Sequence, residues 1–380
     1  MTWSAESLRR DEFPFAGDGI YLNAASIGPL PQRTLRAMEH CLRSRAAPFT
    51  LTDDQLGPIL QNARVAAAAL LGADPSEIAL TTNTSYGINL AAGMLPLHAG
   101  DHVVVSAGEF PANVFPWQHL SRRGVVLELV PVTAEGWPDE EAMRARVADP
   151  RVRALAVSHV QYHTGYRVDL DRLSAACRES GTWLVVDSIQ ALGAVPFDVR
   201  RTPVDILCCG AQKWLLGPWG AGFLYVRREH IPTLVPATVG WLSFEGTEDF
   251  SRLRYDGALH SDARRFEMIT LPFQDLLGMT RSLELLAELG IESVWRHLQA
   301  VQAPVLDWAR RHGVRLASPG GDRGSGMLCL APADPGATMQ RLQAAGVMCS
   351  LREGAIRLSP HCYTTREEME RVVEVLGGGR

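Results

Sequence analysis

The sequence predicts an α/β fold, a large domain built on a mostly parallel sheet, followed by a smaller α+β C-terminal domain. Three observations carry this expectation. From about residue 77, short β-branched runs alternate with helical patterns, the rhythm of a sheet with helices on its faces. Several of those runs are apolar without a period of two, as strands covered on both faces require. After about residue 250 the rhythm gives way to long amphipathic helices around a few strands. The large domain is accordingly set at 15–250 and the small one at 251–380, joined by residues 1–14.

In chain order, strands are expected at 77–82 (EIALTT), 102–107 (HVVVSA), 125–132 (VVLELVPV), 153–160 (RALAVSHV), 182–188 (TWLVVDS), 205–210 (DILCCG) and 222–226 (GFLYV). Helices are expected between them at 85–95, 139–147 and 169–180. In the C-terminal part a helical pattern runs over 280–313, strands lie in GMLCLAP (326–332) and AIRLS (355–359), and a helix follows in TTREEMERVVEVLGG. The chain shows neither a low-complexity tract nor a repeat.

The chain's 380 residues, 46% of them hydrophobic and 21% charged, are ample for a large core. A formal charge of −5 leaves no positive excess to hold a polyanion, so neither nucleic acid nor an anionic membrane is an expected partner. The start, MTWSAESLRRDEFPF, carries acids and arginines where a signal peptide would carry an apolar run. No other stretch approaches a spanning helix, and a cytoplasmic protein is expected. The seven cysteines, Cys41, Cys177, Cys208, Cys209, Cys329, Cys349 and Cys362, are odd in number and form no C-x-x-C pair. That argues against a disulfide framework or a metal site and for small buried hydrophobes.

Of the 37 basic residues only one, Lys213, is a lysine. A genomic bias toward arginine accounts for the rarity, but arginine cannot be deprotonated in a protein and an amine can. The survivor is therefore a candidate for chemistry. Asp187 ends the TWLVVD run, Gln190 follows it, and Lys213 lies just past DILCCG. If the two strands are parallel neighbours, all three project into one cleft beyond the strands' carboxyl ends, where open α/β sheets bind ligands. On these residues alone a structural salt bridge is an equal alternative. The stretch LTTNTSYGIN, with Thr84 and Ser85 at a helix N-cap, supplies the exposed N–H groups, hydroxyls and helix dipole of a phosphate site. An amine, a buried acid and a phosphate cradle are together what pyridoxal phosphate requires.

VVDSIQALGAVPFDV, DILCCGAQKWLLGPWGAGFLYV and ARRFEMITLP (263–272) resemble the class V aminotransferase family of fold-type I pyridoxal phosphate enzymes. Cysteine desulfurases, selenocysteine lyase, C–S lyases, kynureninase and isopenicillin N epimerase belong to that family. The resemblance extends from YLNAASIGPLP at 21–31 to IRLSPHCYTTREEMERVV at 356–373. It implies Lys213 as the Schiff-base lysine and carrier of the Cα proton, Asp187 on the pyridine nitrogen and Gln190 on the phenolic oxygen. It further implies Thr84, Ser85 and Gln212 on the phosphate, Gln212 standing where many relatives have histidine. Phe110 would stack on the cofactor ring and Arg357 would grip the substrate carboxylate. Thr270 would reach the phosphate of a neighbouring subunit, so a homodimer with shared sites is implied. Gln161, Tyr162 and His163 would lie near the cofactor without assigned roles. Trp241, Tyr255, His260 and Arg352 are candidates to line the substrate side-chain pocket.

Desulfurases need a nucleophilic cysteine on a mobile loop before the carboxylate-binding arginine. Here Cys349 precedes Arg357 by only eight positions in what reads as a strand and tight turn, so packing in a sheet is expected instead. The lead expectation is an amino-acid lyase, with C–S lyase or desulfurase-like β-elimination preferred; transamination and epimerisation are the alternatives. A hydrolase lacks G-x-S-x-G and a dinucleotide enzyme lacks G-x-G-x-x-G after the first strand. A silent binding protein that kept the fold is disfavoured by the presence of both Lys213 and Asp187.

Overall fold

The computed structural model describes residues 3–247, 251–252, 254–268 and 270–378. Ile269 of the ARRFEMITLP run and the first two residues of the N-terminal segment lie outside them. The chain opens with α1 (Ala5–Asp11), β1 (Ile20–Tyr21), α2 (Gln32–Ala46) and α3 (Asp53–Leu71). It then enters the large sheet through β2 (Ile78–Thr81), β3 (His102–Ser106), β4 (Val126–Val130), β5 (Val152–Ser158), β6 (Trp183–Asp187), β7 (Ile206–Gly210) and β8 (Gly222–Val226). Interleaved are α4 (Thr84–Met94), α5 (Phe115–His119), α6 (Glu140–Val147) and α7 (Leu170–Ser180).

The spatial order is β2-β8-β7-β6-β5-β3-β4. Every neighbouring pair from β7 to β4 is parallel, and β8 alone runs against both of its neighbours. The reversal follows from the connection. Parallel strands need a crossover of a dozen or more residues, usually a helix, and the link at 211–221 contains none. That short link carries Lys213.

Successive residues of each strand point to opposite faces, and both faces are covered. Leu155, Val157, Val186 and Leu207 enter one apolar core, while Ala154, Ala156, Val185 and Ile206 enter the other. This double burial is why the runs show no polar alternation.

Beyond the sheet come α8 (Phe273–Leu289) and α9 (Ile291–Arg311). The pattern at 280–313 reads as continuous, but Gly290, at φ +74°, separates the two helices. The first packs across α2 and α3 and puts Leu276, Met279, Leu283 and Leu286 into the core of the large sheet. The remaining elements are β9 (Arg315–Leu316), β10 (Leu328–Ala331), α10 (Pro335–Ala344), β11 (Val347–Met348), β12 (Ser350–Arg352), β13 (Ala355–Leu358) and α11 (Arg366–Leu376). Strands β12-β13-β10-β9 form an antiparallel sheet whose core takes Val301 and Val305 from α9 and Met369 and Val372 from α11. The N-terminal segment joins this side, because β1 pairs with β11 and brings Ile20 and Leu22 into the same core.

Candidate active site

Strands β6 and β7 are parallel neighbours with Asp187 opposite Cys208, so Asp187 and the link after β7 emerge at one edge of the sheet. The backbone around Lys213 is clamped. Gly28 N–H donates to Gln212 O at 2.8 Å, and Leu216, at φ +56°, donates its N–H to Lys213 O at 3.0 Å. A Cβ on Gly28 would lie 1.9 Å from Lys213 O, and one on Gly193 would lie 2.2 Å from Trp214 O. Only glycine admits such an approach of two backbones.

Asp187 is buried, and its Oδ1 accepts the Ile189 N–H at 3.0 Å. Burial pushes its carboxyl up to about 7; the Ile189 N–H opposes this, and the nearby Glu109 charge adds to it. Burial likewise pulls the Lys213 amine down to about 8, with Asp187 opposing and Arg357 and Arg352 reinforcing. Neither Asp187 nor Lys213 joins an ion pair of 4 Å or less among the described residues. Above the amine, the Phe110 ring centroid is 5.8 Å from Nζ, and the ring remains 46% exposed. Tyr162 meets it edge-on at 5.2 Å.

Glu109 joins the site beyond the residues that the sequence singles out. Its buried carboxylate accepts from Ser158 N–H and Gln161 Nε2, each at 2.7 Å, from Asn113 Nδ2 at 3.2 Å, and from the Ser158 hydroxyl. Burial raises its carboxyl despite these donors. It ties the loop bearing Phe110 to the end of β5. A charged residue three positions past the end of the apolar β3 is the signal that the sequence offers.

The start of α4 corrects one expectation. The N-cap is Asn83, whose Oδ1 accepts the Tyr86 N–H at 2.9 Å, and Thr84 and Ser85 occupy the first turn instead. Asparagine outranks threonine as a cap because its short carbonyl reaches the third N–H. Among the described residues no acceptor takes the backbone N–H of Thr84 or Ser85. The Thr84 hydroxyl accepts from Gly210 N–H at 2.9 Å. A Cβ on Gly210 would meet Gln212 Oε1 at 2.5 Å and Thr84 N at 3.3 Å, so Gln212 folds over the same spot. Gln190 donates from Nε2 to Ala25 O at 3.0 Å and accepts from Trp214 Nε1 at 2.8 Å. Its second Nε2 hydrogen has no partner among the described residues.

Arg357 is 2% exposed and donates only to neutral acceptors: Ser350 Oγ at 3.2 Å, Tyr162 O at 2.7 Å and Ser26 Oγ at 2.6 Å. Burial pulls it down to about 10. It forms no ion pair among the described residues, and such a buried guanidinium awaits an anion. Thr270 is exposed, and its hydroxyl accepts from Trp241 Nε1 at 3.3 Å. Among the described residues no hydrogen bond joins it to the Lys213 cluster. Cys349 is buried in the small-sheet core with Sγ 3.5 Å from Met339 Sδ, and burial pushes its thiol up to about 11.

Pyridoxal phosphate suits this donor set. An unpaired buried acid can face a pyridine nitrogen, two free N–H groups at a helix start can take a phosphate, and an unpaired amine can take the aldehyde. Among the described residues no helix is long and apolar enough to cross a membrane, and no metal-holding cluster of His, Cys, Asp or Glu occurs.

The aminotransferase class-V profile matches residues 20–372. An uncharacterized aminotransferase of Bacillus subtilis, YcbU, is 32% identical over 81% of this chain and 80% of its own. Isopenicillin N epimerase of Amycolatopsis lactamdurans is 30% identical over 93% of this chain and 94% of its own. A probable cysteine desulfurase of Methanothermobacter thermautotrophicus is 32% identical over 77% and 72%. Among solved structures, the apo cysteine desulfurase of Thermococcus onnurineus superposes with a TM-score of 0.88 at 22% identity, covering 100% of this chain and 98% of its own. The cystine C–S lyase C-DES superposes at 0.86 with 23% identity, covering 97% and 100%.

Proposed function

The chain belongs to the aminotransferase class-V family and is a pyridoxal-phosphate-dependent enzyme, and on that footing we propose that it acts on a free amino acid and eliminates a substituent at Cβ, a carbon–sulfur bond being the preferred target. Bound pyridoxal phosphate supplies an aldehyde that links to amines and a ring that takes up negative charge from Cα. The observation that carries the reading is the proximity of two groups without an ion-pair partner among the described residues, the buried Asp187 and the half-buried Lys213, with Arg357 near enough for its charge to act on Lys213.

Lys213 anchors the aldehyde and then moves the proton at Cα. A half-buried amine brought down to about 8 is free base often enough near neutral pH to accept that proton. Asp187 holds a proton at the pyridine nitrogen, and its tendency to stay protonated when unpaired suits it to share one. The Thr84 and Ser85 N–H groups, with Gln212, hold the phosphate. Phe110 would cover one face of the ring, Gln190 would offer its spare N–H to the ring oxygen, and Arg357 would take the α-carboxylate in a bidentate grip.

The packed Cys349 argues for release of sulfur as a small molecule rather than its transfer to an enzyme thiol. Cys41 is the one cysteine of the chain that is not buried, and burial raises its thiol as well. Epimerisation is the second reading, favoured by the epimerase relative that matches end to end. We further propose a cytoplasmic homodimer. Seven free cysteines suit a reducing compartment, and the exposed patch of Val239, Trp241 and Tyr255 beside Thr270 suits burial against a second copy, which would take Thr270 to the partner's phosphate.

The test is the visible absorption of the cofactor-loaded enzyme, alone and with cysteine, cystine and alanine. Sulfide and pyruvate formed with the visible band retained supports the lyase. Lasting loss of the band with alanine replaces it with an aminotransferase, and conversion of an L- to a D-amino acid replaces it with an epimerase.

A further inference from the structure

Strands β12 and β13 form a hairpin whose turn is Glu353-Gly354, at φ +46° and +75°. Two consecutive left-handed residues make the tight connection that matches strand twist and leaves the register no slack. Ser350 faces Arg357 across the ladder and Arg352 faces Ala355, so the alternation of strand side chains puts Arg352 and Arg357 on one face of the hairpin, diagonally placed.

Both guanidiniums reach a single hydroxyl. Arg357 donates to Ser26 Oγ at 2.6 Å and Arg352 at 3.4 Å. The other hydrogen bond of Arg352 goes to Leu351 O at 2.8 Å. Among the described residues neither arginine forms an ion pair, although carboxylates outnumber basic residues 42 to 37 in the chain. The adjacent Glu353 acts on Tyr162 and His163 instead. The positive charge of Arg352 is felt at both Lys213 and Arg357, so it stands close to both. Like charges side by side repel, and two of them unpaired at a reaction site are stabilised when two anions arrive.

One anion is the α-carboxylate, assigned above to Arg357. We propose that Arg352 binds a second anionic group on the substrate, so that the enzyme selects amino acids whose side chain carries a carboxylate or similar oxyanion. This inference rests on the amino-acid reading above and narrows its substrate class. Arg352 is partly exposed where Arg357 is buried, so it can meet a group that reaches the site from the solvent side.

The probes are S-carboxymethyl-L-cysteine and S-carbamoylmethyl-L-cysteine, which share a cleavable carbon–sulfur bond and differ in one charge. Aspartate and asparagine form a second pair. Saturation is read from the visible absorption of the cofactor-loaded enzyme, and turnover of the cysteine derivatives from pyruvate. The expected result is that each anionic member binds about tenfold or more tightly than its amide. Arg352→Gln should erase that preference while leaving the amides within about threefold, and Arg352→Lys should restore part of it. Equal weakening of acids and amides in Arg352→Gln would overturn the inference, because Arg352 would then serve the α-carboxylate or the hairpin. No charge preference in the unmodified enzyme would overturn it alone. No absorption response to any amino acid would overturn both it and the reading on which it rests.

Discussion

Replacing Asp187 with Asn should stabilise the cofactor-free protein at alkaline pH and weaken its hold on the cofactor. Without a partner, the buried carboxyl is raised from its ordinary 3.8 to about 7. At ~1.4 kcal/mol for each tenfold change in an equilibrium constant, ionising it inside the fold costs about 4 kcal/mol more than ionising it in the unfolded chain. The sign follows from the direction. Because the folded value lies above the unfolded one, the unfolded chain loses its proton first. The contribution of Asp187 is therefore intact below about 4 and is lost as pH rises through about 7. Asparagine keeps the shape and the acceptor for Ile189 N–H and never ionises. Urea unfolding of both cofactor-free proteins at pH 8.5 and pH 4.5 checks this. The variant should be more stable at pH 8.5 by about 2–4 kcal/mol, after allowance of about 1 kcal/mol for an imperfectly paired amide, and the gap should shrink toward zero at pH 4.5. A variant less stable than the parent at pH 8.5 would refute the reasoning, since Asp187 would then be a stabilising ion in the empty site.

Gly28→Ala should push the Lys213 carbonyl, 1.9 Å from the new Cβ, and displace the amine; a fall in kcat of about 100-fold, with KM less affected, is expected in steady-state kinetics. Glu267→Gln should cost about 3–5 kcal/mol in urea unfolding, because it breaks a buried ion pair with Arg64 at 2.7 Å and leaves a single amide oxygen, already taken by Leu80 N–H at 2.9 Å, where Arg64 had a carboxylate. Cys349→Ala should leave turnover within about twofold and cost about 1 kcal/mol of stability; loss of turnover would make this thiol a sulfur carrier after all.

The strands of the large sheet are legible because burial on both faces writes itself into unbroken apolar runs, and each observed strand lies within two residues of its expected bounds. Lys213 is legible because composition isolates it. Other features depend on contacts far apart in the chain and leave no local trace. The α8 helix reads as one pattern with α9, yet it packs into the core of the large sheet. Ser26 gains its place only when the hairpin more than three hundred residues later brings two arginines to it. Arg352 and Arg357 were separately visible, but their common face follows from a register that only the two-residue turn fixes. Asn83 does not stand out in the sequence because Thr84 and Ser85 beside it are cap-forming residue types too, and backbone geometry chooses among them.

The proposed chemistry turns on a covalent bond to one amine, and the most direct measurement is borohydride reduction of the cofactor-loaded protein followed by digestion and peptide mass analysis. With a single lysine in the chain, the account predicts one reduced pyridoxyl adduct, on the peptide containing Lys213, and none in Lys213→Arg. An adduct confined to the N-terminal amine, or no adduct at all, would contradict it.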